Sequence, residues 1–141
     1  MNEADGLARR VADTLLQREG TGPAWGVTID DAREGYALVR MHVRDDMLNG
    51  HGIAHGGMIF ALADTAFAYA CNSRNESTVA QSATISFLAA AQPGDTLIAE
   101  AREVSRVGRS GVYAVSIRAG DGRAIAEFTG LSRTIGGAII N

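Results

Sequence analysis

The chain has 141 residues with 13 basic and 16 acidic side chains, a formal net charge of −3, and every basic side chain is arginine. The absence of lysine excludes a Schiff-base nucleophile, a pyridoxal-phosphate anchor and a phosphate-loop lysine, so cationic recognition falls to guanidinium groups, which stay charged and grip phosphate oxygens in a forked geometry. An acidic balance without a basic run lacks the electrostatic footprint of a nucleic-acid or anionic-membrane binder, and neither partner is expected.

A chain of about 150 residues can bury roughly 70% of its unfolded surface around one core, so residues 1–141 are expected to form a single domain. The polar, acidic start does not read as a signal peptide. The longest apolar stretch, residues 56–70, is interrupted by Asp64 and Thr65 and does not read as a membrane span. Cys71 stands alone, with no partner for a disulfide or a zinc-binding CxxC, which points to a reducing compartment and a cytoplasmic location.

Leu7, Val11, Leu15 and Leu16 recur at helical spacing over residues 3–19, and Gly20 with Pro23 supplies a stop, which predicts an amphipathic helix within residues 1–20. Residues 27–31 and 36–43 are strand-like on either side of Arg33, Glu34 and Gly35 and read as a hairpin. Residues 44–56, rich in Asp, Asn, Gly and His, read as a loop. Residues 57–72 are apolar on nearly every face, the mark of a helix buried in a core or at a subunit interface. Four strand-like runs follow at 78–91, 95–107, 111–119 and 123–135, and their short turns predict an antiparallel meander. The order gives an α+β domain in which a sheet wraps one long helix.

Chemistry concentrates between Asn49 and Asp64. Gly56 and Gly57 open the apolar helix, where uncovered backbone N–H groups and the helix dipole favour a negative charge, including the oxyanion of an acyl transfer. Paired glycines also allow plain tight packing against a sheet, and both readings stand at this point. Asp64 is an acidic group in an apolar helix, which is costly unless it is hydrogen-bonded, for instance to Thr65 or nearby backbone, or kept for function. At 1.5 Å per residue Asp64 lies on the order of 10 Å along the helix from Gly57, too far to share one carbonyl carbon. If both act on one bond, Asp64 comes from a second subunit, which implies a dimer with composite sites.

His51 and His55 have an i, i+4 spacing that can bind zinc on a helix, but Gly52 and Gly56 argue against helix there and no third ligand follows, so no metal is expected. His55 is expected to position the glycine turn by hydrogen bonding. A Gly-x-Ser-x-Gly elbow and the glycine-rich nucleotide motifs are missing, and no cofactor is expected. Arg106, Gly108 and Arg109 surround a turn where arginines can hold phosphates and glycine lets the backbone approach. A simple charged hairpin tip is the alternative.

Several runs resemble the hotdog-fold acyl-CoA thioesterase superfamily, and within it the phenylacetic-acid-degradation branch. They are Met47-Leu48-Asn49-Gly50-His51, His55-Gly56-Gly57, the stretch from Leu62 through Asp64 to Ser73, Thr84-Ile85, Phe87-Leu88, Gly94-Asp95-Thr96-Leu97, Gly111-Val112-Tyr113 and Ile135-Gly136-Gly137. The resemblance implies a hotdog fold and hydrolysis of an aryl-acetyl or hydroxylated aryl-acetyl coenzyme A ester by a homotetramer of dimers. It further implies Asp64 as base or nucleophile, Gly57 as donor to the thioester oxygen, Asn49 and His55 as supporting neighbours, and Gly56, Arg106, Gly108 and Arg109 as substrate contacts. Ser86 stands where the family pattern has an acidic residue, and Ala89-Ala90 replace its Arg-Pro, which bears on substrate identity. A non-catalytic acyl-CoA sensor and an enoyl-CoA hydratase on the same fold are the alternatives.

Overall fold

The computed structural model describes residues 2–141. Helix α1 (Glu3–Arg18) starts where the Asn2 side chain accepts the Asp5 N–H at 2.8 Å, with Glu3 and Asp5 in the first turn and Arg18 in the last, all favourable to the helix dipole. Ala8, Val11 and Ala12 are buried beneath it, and its far end is tied to the central helix by a hydrogen bond from Tyr69 to Glu19. α1 stops ahead of Gly20 as expected, and Pro23 falls inside a second short helix, α2 (Thr21–Trp25). Pro23 is tolerated because the first helical turn asks for no backbone donor.

Strands β1 (Thr28–Arg33) and β2 (Tyr36–His42) form the expected hairpin. The long helix α3 (Gly56–Cys71) follows, then β3 (Thr78–Phe87), β4 (Thr96–Val107), β5 (Ser110–Ala119) and β6 (Ala124–Thr134). All pairings are antiparallel, but the order across the sheet is β1-β2-β4-β5-β6-β3. The meander expected for the four late strands therefore holds only for β4, β5 and β6. β3 lies at the far edge beside β6, and residues 88–95 carry the chain back to pair β4 with β2. A Pro-Gly-Asp turn signal reports a change of direction and says nothing about which strand is reached next. Here the connection is pinned by Ala91, fully buried, whose carbonyl accepts the Ala54 N–H at 2.8 Å.

The sheet curves around α3. Leu62, Ala63, Ala66, Phe67 and Ala70 face Val39, Leu97, Ala99, Tyr113, Val115 and Phe128, all buried. Gly130 on β6 makes room for Phe67, since a Cβ there would lie 2.7 Å from the ring. Two surfaces remain open in the protomer. The α3 stripe of Gly57, Ala61, Asp64 and Ala68 is only partly covered, and β3 is hydrogen-bonded on one side only, leaving Val79 and Phe87 about half exposed, at 46% and 52%. An edge of this length with exposed apolar residues invites pairing with another strand.

Candidate active site

The start of α3 is built by the loop before it. Asn49 accepts the His51 N–H at 2.9 Å and the Ile53 N–H at 3.4 Å through Oδ1, and its own N–H donates to the Ile53 carbonyl, closing a tight turn. His55 donates its N–H to Met47 O at 2.8 Å, which fixes it as the helix cap. Its Nδ1 accepts the Gly57 N–H at 2.9 Å, so the ring of the neutral histidine carries its proton on Nε2. The Gly57 donor that the sequence left uncovered is therefore taken, because an N-cap side chain reaches the second residue of its helix. The N–H without an acceptor among the described residues is that of Gly56, one residue earlier. Gly56 is also packed closely, as a Cβ there would lie 3.0 Å from the Phe87 ring. Both sequence readings of the glycine pair thus have a place. Gly56 opens onto a cleft of about 410 Å³ that Asn49, Ile59, Phe87, Ala89 and Ala90 also line. The Ala89-Ala90 departure consequently falls on its wall.

Asp64 lies two turns further along α3, in a separate cleft of about 230 Å³ formed with Phe67, Ala68, Cys71, Thr78 and Ala80. Its carboxylate has no hydrogen-bond partner among the described residues. Thr65, the neighbour expected as a candidate partner, donates to Ala61 O at 2.8 Å instead. Burial pushes the Asp64 carboxyl pKa above its ordinary value. Cys71, at the far end of the cleft, is pushed up to about 12 by burial and then by the charge of Asp64, and it remains a protonated thiol. Eight residues separate Gly56 from Asp64, roughly 12 Å of helix, so the two groups of one protomer face different clefts.

The arginine turn lies at the opposite end of the molecule from Gly56. Gly108, at φ +61°, turns β4 into β5. Arg106 approaches Glu103 at 3.9 Å. Glu103 also receives Arg74 through two bonds of 2.7 and 3.0 Å and the Tyr113 hydroxyl at 2.8 Å, and these donors hold its carboxyl below the usual range despite burial. Arg109 makes no ion pair among the described residues, and its carbonyl accepts the Thr134 N–H at 2.8 Å. Arg106 thus has an acidic neighbour at the edge of ion-pair distance, whereas Arg109 has none among the described residues. Sequence spacing gave no sign of the cluster around Glu103, because its members come from the turn after α3, from β4 and from β5.

A model of the thioesterase superfamily matches residues 51–126. The acyl-coenzyme A thioesterase PaaI of Escherichia coli is 43% identical over 128 residues, 91% of each chain. The chain belongs to the thioesterase superfamily. This thioesterase superposes on the structure of the E. coli PaaI protein from the phenylacetic acid degradation operon with a TM-score of 0.95 at 40% identity, covering 96% of this chain and 99% of that one. Its six antiparallel strands around one helix are the hotdog fold, and it is a thioester hydrolase. A putative esterase of Archaeoglobus fulgidus is 34% identical over 85% of this chain and 78% of its own. A Streptococcus mutans protein whose structure contains acetyl-CoA matches with a TM-score of 0.77 at 27% identity, over 79% of this chain and 90% of that one.

Proposed function

We propose that this thioesterase hydrolyses an aryl-acetyl or hydroxylated aryl-acetyl coenzyme A ester to the free acid and coenzyme A, in a site shared between two protomers. The observation that carries the composite site is the separation on one helix of an unpartnered carboxylate and an unpartnered N–H, each opening into its own cleft. Two protomers joined along the open β3 edges, with their α3 helices antiparallel, bring the Gly56 end of one to Asp64 and Arg109 of the other. Burying the exposed edge and the α3 stripe favours that pairing, and two such dimers form the tetramer. A lone buried Cys71 fits a cytoplasmic enzyme.

In this site the thioester oxygen accepts the Gly56 N–H at the positive end of α3. Asp64 of the second protomer takes a proton from water as the water oxygen bonds the carbonyl carbon. The carbon–sulfur bond then breaks, and the proton goes to the departing coenzyme A sulfur. An unpaired carboxylate with a pKa raised by burial suits a base, since it holds a proton more tightly than a solvated aspartate does. Asn49 and His55 keep the Gly56 end in shape, while Arg109 meets coenzyme A phosphate.

Purified protein mixed with phenylacetyl-CoA, acetyl-CoA and an enoyl-CoA, with a thiol reagent present, tests the reading. Release of free thiol from phenylacetyl-CoA is expected. Binding without thiol release would identify a sensor, and loss of the enoyl absorbance without thiol release would identify a hydratase.

A further inference from the structure

Asp64, Phe67, Ala68 and Cys71 have the spacing i, i+3, i+4, i+7 and form one stripe of α3. Opposite them on β3 stand Thr78 and Ala80, paired with Thr134 and Ser132 on the face of the sheet that packs against the helix. A register shift between Ala80 and Ser82 lets Ala83 and Ile85 continue on that same inner face opposite Gly130 and Phe128. The bulge thus keeps Ala80 and Ala83 on the same face, turned toward α3 beside the cleft. The cleft of about 230 Å³ exists because Ala68 and Ala80 meet across it. A larger side chain at either position would occupy it.

We infer that Ala68 and Ala80 determine the size of the acyl group this enzyme accepts, with Cys71 closing the end of the acyl cleft. The inference rests on the thioesterase reading above and deepens it. Among the described residues Asp64 is the only charged one on the cleft wall, and Phe67, Ala68, Cys71 and Ala80 make the rest largely apolar. A carbonyl held at Asp64 points its acyl group down the helix toward Cys71, roughly 10 Å away along the axis. That length accommodates an aromatic ring on one methylene or a short alkyl chain and stops a long-chain acyl group. The Cys71 thiol, buried to 9% exposure and donating to Ala68 O at 3.5 Å, is an uncharged end wall and takes no covalent part.

The test compares kcat/KM of wild type, Ala68→Leu, Ala80→Val and Cys71→Ala for acetyl-CoA, phenylacetyl-CoA and 4-phenylbutanoyl-CoA. Leucine suits a helix and valine a strand, and the melting temperature of each variant checks folding. Filling the cleft should lower kcat/KM for phenylacetyl-CoA about 100-fold relative to acetyl-CoA, since steric misfit in an apolar pocket discriminates by about 10–200-fold per methylene. Cys71→Ala should improve 4-phenylbutanoyl-CoA about tenfold relative to phenylacetyl-CoA by deepening the end of the cleft. Folded Ala68→Leu and Ala80→Val variants with the wild-type ratio of phenylacetyl-CoA to acetyl-CoA would overturn the inference while leaving the thioesterase reading intact. A wild type that releases thiol from no ester would overturn the thioesterase reading, and the inference with it.

Discussion

Replacing Gly56 with proline isolates one atom. Gly56 is the first residue of α3, a position where proline is well tolerated, and His55 before it has φ −62° and ψ 134°, the extended conformation that a residue preceding proline prefers. The substitution deletes an N–H that donates to nothing among the described residues, so no internal hydrogen bond is lost. The added Cβ would approach the outer end of the Phe87 ring at 3.0 Å, a contact relieved by a shift of a few tenths of an ångström. The ring of proline also restricts the unfolded chain, worth about 0.4–1 kcal/mol in favour of folding, which offsets the crowding. The melting temperature of Gly56→Pro should therefore stay within about 4 °C of wild type, the shift that roughly 1 kcal/mol produces in a domain of this size. Its catalytic cost should be that of a lost oxyanion donor, about 2.7–4 kcal/mol or roughly 100- to 1,000-fold in kcat. Steady-state release of coenzyme A thiol from phenylacetyl-CoA, beside a thermal melt, measures both. A folded Gly56→Pro enzyme with wild-type kcat would refute the assignment of that N–H to the thioester oxygen.

Further outcomes follow from the geometry. Asp64→Asn should lower kcat for phenylacetyl-CoA by roughly 100- to 10,000-fold, as expected when a positioned base is removed. In the wild type, the acid limb of the kcat/KM profile should lie above the ordinary aspartate range, because burial raises this carboxyl. The sign for stability is the reverse of a paired carboxylate. A folded-state pKa above the unfolded value stabilises the protein while the group is protonated, and that stability is lost as pH rises through the folded pKa. Asp64→Asn should therefore melt above wild type at pH 7 and match it at a pH below the unfolded aspartate pKa, and an unchanged difference across that range would contradict it. Arg109→Ala should raise KM for coenzyme A esters about tenfold and lower kcat less. Arg106→Ala should act chiefly on stability, by about 1 kcal/mol or less, because its 3.9 Å ion pair is partly exposed. Equal effects of the two variants on KM would reunite them as one phosphate clamp.

The run of apolar residues around Asp64 made α3 legible as a buried helix, and strand alternation with glycine turns located most strand boundaries to within a few residues. What local pattern did not reveal was the crossing from β3 to β4, since strand order depends on where α3 needs cover and a turn motif carries no such information. The bare donor also moved by one residue. The glycine pair marked the helix start, but only the hydrogen bond from Gly57 to His55 Nδ1 distinguishes the two N–H groups. Arg106 and Arg109 are neighbours in sequence with similar chemistry, and they differ because Arg106 lies beside Glu103, on which Arg74 and Tyr113 also converge from other elements. The separation of Gly57 from Asp64 was visible from helical rise alone, so a shared site is expected from sequence if both act on one bond, and moving the donor to Gly56 only widens that gap.

Subunit complementation tests that shared site most directly. Inactive Asp64→Asn protein and inactive Gly56→Pro protein are unfolded together, refolded as a mixture and assayed with phenylacetyl-CoA. Half of randomly assorted dimers would be hybrids, each with one site that combines an intact Gly56 from one protomer with an intact Asp64 from the other. A composite site predicts recovery of about a quarter of wild-type activity. Hybrids confirmed by mass that show no more activity than the parents would place Gly56 and Asp64 in the same protomer's site and contradict it.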